Sequence, residues 1–233
     1  MDQIQLRDAY SRVKSLFPNY IISKQVLRVE EQLANNKSNY QFQLKQGNSS
    51  TDGPLENLLN QNDAFVLCAL ALGIKKQDTS TSPPRYGNYQ PFFFPNPNVF
   101  VGAPAGQATE SSALLTVYNG QINFATGSVE RMKFMDTNQF LMVPQDRDIN
   151  DGLAVQNAVN TPWSEVQPNF LIDGEQNNQF NLNLGAGDIT AIDGRYTSGG
   201  AATATARNVL VLFALGLIIH NGSAAVKQAK GWE

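Results

Sequence analysis

The feature that most constrains this chain is a two-part pattern found near both of its ends. Tyr40-Gln41-Phe42-Gln43-Leu44 alternates apolar with polar side chains, and an apolar run follows it, Ala64-Phe65-Val66-Leu67-Cys68-Ala69-Leu70-Ala71-Leu72-Gly73-Ile74. The alternation returns as Gln179-Phe180-Asn181-Leu182-Asn183-Leu184, and a second run follows, Val209-Leu210-Val211-Leu212-Phe213-Ala214-Leu215-Gly216-Leu217-Ile218-Ile219. Both runs carry Ala-Leu-small-Leu, at Ala69 to Leu72 and at Ala214 to Leu217. Strict alternation describes a strand with one face in water, and a continuous apolar run bounded by polar residues describes a strand buried on both faces. Copies near opposite ends imply an all-β structure, closed or double-layered, in which early and late strands lie side by side.

A chain of 233 residues can bury a sizeable core, and all-β sandwiches of this size are often one domain. Charged residues make up 16%, below the usual quarter, and Asn and Gln at about 18% take their place. An amide-rich surface hydrogen-bonds without strong like-charge repulsion, which suits a protein whose faces meet copies of itself. A net charge of −3 leaves no electrostatic footprint for nucleic acid. The single cysteine, Cys68, sits inside an apolar run, so neither a disulfide framework nor a thiol-metal cluster is expected. Met1 to Gln5 has neither the basic nor the apolar region of a secretory signal. Val209 to Ile219 is about half of the ~20 residues a membrane-spanning helix needs. A soluble chain made inside a cell is the expectation.

Along the chain, Asp2 is placed to cap a helix that carries Leu6, Ala9, Tyr10, Val13, Leu16 and Phe17 on one face and ends at Pro18. That stripe needs cover, from the body of the protein or from a neighbouring subunit. Val26 to Val29 and the Tyr40 segment read as strands, Asn48 to Pro54 as a polar turn and Leu55 to Leu59 as one helical turn. Gln77 to Pro97 is irregular and holds Tyr86, Tyr89 and Phe92-Phe93-Phe94 between Pro91 and Pro95. Leu114 to Phe124 reads as a β-hairpin turning at Asn119-Gly120, because that dipeptide accepts the positive φ of a two-residue turn. Arg131 to Phe134, Phe140 to Val143, Phe170 to Ile172 and Asp188 to Ile192 are further strands. A polar stretch from Pro144 to Pro168 shows little periodicity beyond Leu153, Val155 and Val159. Gly194 to Thr205 is a small-residue loop. The total is about ten strands.

Chemical signals are few. Asp146, Asp148, Asn150 and Asp151 before Gly152 miss the glycine position and the closing glutamate of a calcium loop. His220 is the one histidine, so no multi-histidine metal site is available, and no Ser or Cys sits in a nucleophile elbow beside it. Gly185-Ala186-Gly187 lacks the third glycine and the helix of a dinucleotide fingerprint. No cofactor and no enzymatic activity are expected. The Phe92 to Phe94 run reads equally as intrachain packing or as a subunit contact, since large exposed apolar patches mark interfaces.

The order of elements carries a resemblance. An amphipathic N-terminal helix is followed by the Tyr40 strand, then Leu55-Glu56-Asn57-Leu58-Leu59-Asn60-Gln61-Asn62-Asp63 leading into a buried strand, then Tyr118-Asn119-Gly120, then Asp136 to Pro144. This order resembles virion proteins of tailless phages and, through them, the jelly-roll major capsid proteins of icosahedral bacteriophages, some of them membrane-containing. No motif is carried over as functional. The resemblance implies an N-terminal arm, residues 1–18, and a jelly-roll domain, residues 19–233. A single barrel with long loops is preferred over a minimal double barrel split at roughly 19–110 and 111–233. It also implies a virion location and self-association into trimers or pseudo-hexameric capsomers, with other virion proteins, and an internal membrane where one exists, as further partners and no specific nucleic acid. The candidate intersubunit contacts are Phe92, Phe93, Phe94, Tyr86, Tyr89, Leu6, Tyr10 and Val13. The alternative is a carbohydrate-binding or adhesive jelly-roll module of a phage spike or fibre, using Tyr86, Tyr89, Trp163 and Tyr196. A third reading, a cupin-like enzyme, is disfavoured by the single imidazole.

Overall fold

The structure is a computed structural model that describes residues 3–45, 56–78, 91–103, 108–142, 162–185, 189–196, 200–202 and 205–226. A helix, α1 (Gln3–Leu16), precedes eight strands: β1 (Ile22–Gln32), β2 (Asn39–Gln43), β3 (Ala64–Asp78), β4 (Gln121–Thr126), β5 (Val129–Asp136), β6 (Ser164–Asp173), β7 (Asn178–Asn183) and β8 (Ala206–Ile219). Two further helical segments are short, α2 (Glu110–Ala113) and α3 (Ser223–Val226). The strands form two four-stranded sheets, ordered β1-β8-β3-β6 and β2-β7-β4-β5, and every pairing is antiparallel. The all-β class is as expected from the sequence.

The two apolar runs are β3 and β8, and they pair with each other from Ala64↔Ile219 to Asp78↔Ala206 at the centre of the first sheet. The two alternating segments likewise pair, as β2 and β7, with Tyr40 opposite Leu182 and Phe42 opposite Phe180. The repeat in the sequence is therefore two sets of neighbours with matching environments. Each sheet draws strands from both sides of residue 110.

Between the sheets lies the main core. Phe65, Leu67, Leu70, Leu72 and Ile74 of β3 and Leu210, Leu212 and Ala214 of β8 meet Tyr40, Phe42, Ile122, Phe124, Phe180 and Leu182 of the second sheet. The rings of Phe124 and Phe180 stand 4.7 Å apart. On the opposite, outer face of the first sheet, Ala9 and Val13 of α1 and Phe17 just after it cover Ala64, Val66, Cys68, Leu217 and Ile219. The amphipathic stripe thus seals its own chain's sheet.

Four sequence expectations are corrected. Leu114 to Asn119 is a 3-10 segment, and the chain turns back elsewhere. Leu114, Thr116, Val117 and Tyr118 are buried, and the apolar three among them follow a helical spacing that the run of β-forming residues hides. Gly120 has extended φ and ψ, −113° and −164°; it is glycine because a Cβ there would lie 2.3 Å from the Asn183 carbonyl oxygen. The hairpin is instead β4–β5, turning at Gly127-Ser128 with Gly127 at φ +60°. Phe140 closes a second 3-10 segment, Thr137–Phe140, which Asp136 caps by accepting the Asn138 N–H at 2.9 Å, so no strand starts there. Leu59 and Asn57 are in extended bridges with Lys45 and Arg28, with no helical turn among the described residues. Ala191 to Asp193 turns instead of forming a strand, and the Asp193 N–H is taken by the Asn35 side chain. Asp2, Asn48 to Pro54 and Leu153 to Val159 lie outside the described residues.

Gly216 marks the tightest point of the central ladder: a Cβ there would lie 2.0 Å from the Val66 carbonyl oxygen and 2.7 Å from the Phe65 ring. Gly216→Ala is expected to cost about 2–3 kcal/mol through forced displacement of β3. Urea unfolding followed by circular dichroism measures it, and an unchanged midpoint would refute the packing described.

Candidate interaction surfaces

The aromatic run is held largely within the chain. Beyond Leu70, where β6 stops pairing, the free edge of β3 is taken by Phe92, whose N–H and carbonyl bond Ile74 at 2.7 and 2.8 Å. The Phe92 ring meets Phe94 and Phe100 edge-on at 6.2 and 6.0 Å, and Phe93 lies 6.2 Å from Phe213 on the outer face of the first sheet. All three rings are half-buried. In α1, Val13 is wholly covered within the chain, Leu6 is partly buried, and Tyr10 is 42% exposed. Tyr86 and Tyr89 lie outside the described residues. Trp163 leans on Phe213 at 6.4 Å, and Tyr196 is half-buried with its backbone bridged to Ala202.

His220 shares a 3.1 Å hydrogen bond with the Ser23 hydroxyl. Among the described residues, no group of three or more His, Cys, Asp or Glu is arranged to hold a metal ion. Asp146 to Gly152 and Ala186-Gly187 fall outside them. One cleft of about 320 Å³ lies between α1 and a wide bulge of β6, where Val166 to Asn169 loop out between the Glu165 and Phe170 pairings. Asp8, Arg12, Glu165, Gln167 and Asn169 line it, with Cys68 at its floor. Burial pushes the Cys68 thiol up to about 11, so it stays protonated at neutral pH and is a poor nucleophile.

Two buried charge clusters were not anticipated from the sequence. Lys75, 1% exposed, is paired with Glu30, which also binds Arg28 at 2.7 Å and donates its backbone N–H to Glu56 at 2.9 Å. Desolvation lowers the Lys75 pKa, and the hydrogen bond to Glu30 opposes that shift. Glu110, also 1% exposed, accepts from Lys76 at 2.8 Å, from the Gly102 N–H at 3.3 Å and from the Asn208 amide. Lys75 and Lys76 directly follow an apolar run, which was the one available hint that the strand continued through them.

The outer face of the second sheet is of a different kind. Its outward side chains form three rows across β2, β7 and β4: Asn39–Asn183–Gln121, Gln41–Asn181–Asn123 and Gln43–Gln179–Ala125. Eight of these nine positions are amides and none is charged. Most are exposed, and Asn181 Nδ2 donates to Asn123 Oδ1 at 2.8 Å in the middle row. Charges appear at the margins, on β5 with Glu130, Arg131, Lys133 and Asp136 and beyond β2 with Lys45. Three of the four edge strands are blunted: β5 carries two register shifts along its eight residues, β6 has its bulge, and β1 is bridged by Asn57.

No helix among the described residues is long and apolar enough to cross a membrane. No protein-family model matches the chain, and no curated protein or solved structure matches it either.

Two outcomes follow from this geometry. Ellman's reagent is expected to label Cys68 slowly in the native protein and roughly tenfold faster or more in Val13→Ala, which weakens the helix over it; equal rates would mean that α1 is not its cover. Glu31 has its pKa raised, by desolvation first and by Glu56, against the opposing effect of Lys37. A raised carboxyl pKa means that the folded state disfavours the anion, so the penalty is absent below the unfolded pKa and grows as pH rises through the folded one. Glu31→Gln is therefore expected to stabilise the protein at neutral pH and to match wild type in acid, and pH-dependent urea midpoints with the reverse order would reject the assignment.

Proposed function

We propose that this chain is a structural subunit with a single jelly-roll fold, a virion coat protein that acts by repeated self-association into trimers or pseudo-hexameric capsomers of an icosahedral shell. The observation that carries the fold reading is the pairing scheme. Strands pair 1 with 8, 2 with 7, 3 with 6 and 4 with 5, and successive pairs alternate between the two sheets. That arrangement is what an eight-stranded antiparallel ribbon gives when rolled over itself, and jelly rolls of this kind build capsid and lectin domains and cupins.

Among those uses the packing favours a structural role. A cupin-type site needs a lumen with several imidazoles, whereas here Tyr40, Phe42, Phe65, Phe100, Phe124 and Phe180 fill the space between the sheets at 0–1% exposure. Sugar binding by the aromatic residues would need rings presented together, and Trp163 is committed to Phe213 instead. The charge-poor exterior supports repeated contact between like surfaces, and exposed Tyr10, Leu16 and Ile21 add apolar area around α1 and the turn after it. Other virion proteins or an inner lipid layer would be secondary partners.

Size-exclusion chromatography with light scattering, followed by electron microscopy of the high-mass fraction, tests the reading. Trimers, capsomers or closed particles are expected. A strictly monomeric protein at all attainable concentrations that binds a glycan would reject it.

A further inference from the structure

We infer that the amide-covered outer face of the β2-β7-β4-β5 sheet is a contact surface whose occupant is the same face of a second copy, a reading that rests on the self-association proposed above. Three properties of the face lead there. First, it is neutral over nine contiguous outward positions, although surfaces that remain in water normally carry charges of both signs. In the same sheet, charge reappears at the first strand beyond the lattice, in Glu130, Lys133 and Asp136. Its exclusion therefore follows the boundary of the face and not the composition of the chain alone.

Second, the face is complementary to itself. Each amide presents two donors and an acceptor oxygen with two lone pairs, so any amide can meet any other with one of the two turned appropriately. A charged surface related to its copy by a two-fold axis sets some like charges against each other; a neutral amide lattice does not. The lattice repeats at about 4.8 Å across strands and about 6.8 Å along them, a spacing the facing copy shares by identity. Third, bonding capacity is left unspent. Asn181 Nδ2 is used by Asn123, but the exposed amides of Gln41, Gln43, Gln121 and Asn183 carry no described side-chain hydrogen bond.

An aromatic-poor lattice is a weak fit to a sugar, which draws much of its affinity from ring stacking; Phe134, 60% exposed on β5, stands at the margin. The patch is three strands wide, smaller than the ~800 Å² per partner of a stable pairwise interface. It therefore acts as one weak contact among several in an assembly, where many such contacts add.

The test uses two exposed positions that carry no described side-chain bond, Gln41 and Asn183. One full-length variant combines Gln41→Glu with Asn183→Asp, and the other combines Gln41→Lys with Asn183→Lys. Thermal unfolding confirms that each is folded, and where a pair melts early the Gln41 substitution alone repeats the comparison. Light scattering is expected to show that each variant alone loses the assembled species, and that an equimolar mixture of acidic and basic variants recovers it. Assembly of either variant to the wild-type extent would overturn the inference and leave self-association standing. Loss in both without recovery on mixing would also overturn it, because the face would then meet a different surface. A wild-type protein that never assembles would instead remove the proposed function itself.

Discussion

The antiparallel ladder between β3 and β8 is the contact on which the rest of the structure depends. It joins residues 64–78 to residues 206–219 across most of the chain's length, and both strands are apolar on both faces. Such a pair is stable only when covered twice. The inner cover is the second sheet, whose β2–β7 pair brings Tyr40, Phe42, Phe180 and Leu182 onto Leu67, Leu72 and their neighbours. The outer cover is divided at Cys68. There β3 carries one extra residue, so Cys68 falls between the pairings of Leu67 and Ala69 and the alternation changes phase. Before the bulge, Ala64, Val66 and Cys68 lie under α1. After it, small residues face outward, Ala69, Ala71 and Gly73, and leave room for the Phe93 and Phe213 rings. The helix and the aromatic run are thus two halves of one lid.

On the second half of that lid the rows are chemically mixed. Arg28–Phe213–Ala71, Glu30–Val211–Gly73 and Gln32–Val209–Lys75 stand side by side. The Arg28 guanidinium lies 5.4 Å over the Phe213 ring, and Lys75 reaches diagonally past the valines to Glu30. Burying these charges costs desolvation that their pairing offsets, so the cluster is better read as fixing register at the end of the ladder than as a source of stability. A one-residue slip of β3 against β8 would carry Lys75 to the inner face, among Phe and Leu, where nothing pairs it.

What was legible in the sequence was what depends on period. Alternation at Tyr40 to Leu44 and Gln179 to Leu184, unbroken apolar runs, and the stripe of α1 each declare a local environment without reference to the rest of the chain. What was not legible depends on partners. Asn119-Gly120 has a turn's composition, but Gly120 is small for the sake of the Asn183 backbone, a contact across 63 residues of sequence. Phe140, Ala191 and Ile192 look strand-like because their apolar side chains are buried in the core from turns. The same limit applied to the surface. Glutamines 41 and 43 and asparagines 181 and 183 could be assigned outward from alternation alone, yet only the β2–β7 and β7–β4 registers show that they form one continuous lattice with Gln121 and Asn123. Phe92 to Phe94 posed the reverse problem, since composition left intrachain packing and a subunit contact equally open, and the free edge of β3 supplied an intrachain use.

The two outer faces of the sandwich are therefore unlike, and the difference bears on how copies could meet. The first sheet has spent its outer face on its own chain, under α1, Phe93 and the Glu30 cluster. The second has left its face open but covered it with groups that neither drive collapse, as exposed leucines would, nor hold copies apart, as a uniform charge would. Its edge strand β5 is bulged twice and charged, which opposes open-ended strand addition. Edge pairing makes fibres, because each added strand exposes another edge; a face that meets its own copy about a two-fold axis closes on itself. On the face-to-face contact proposed above, a molecule with three of its four sheet edges blunted is biased toward finite assemblies, and that bias comes from where its amides stand in the sheet rather than from how many there are.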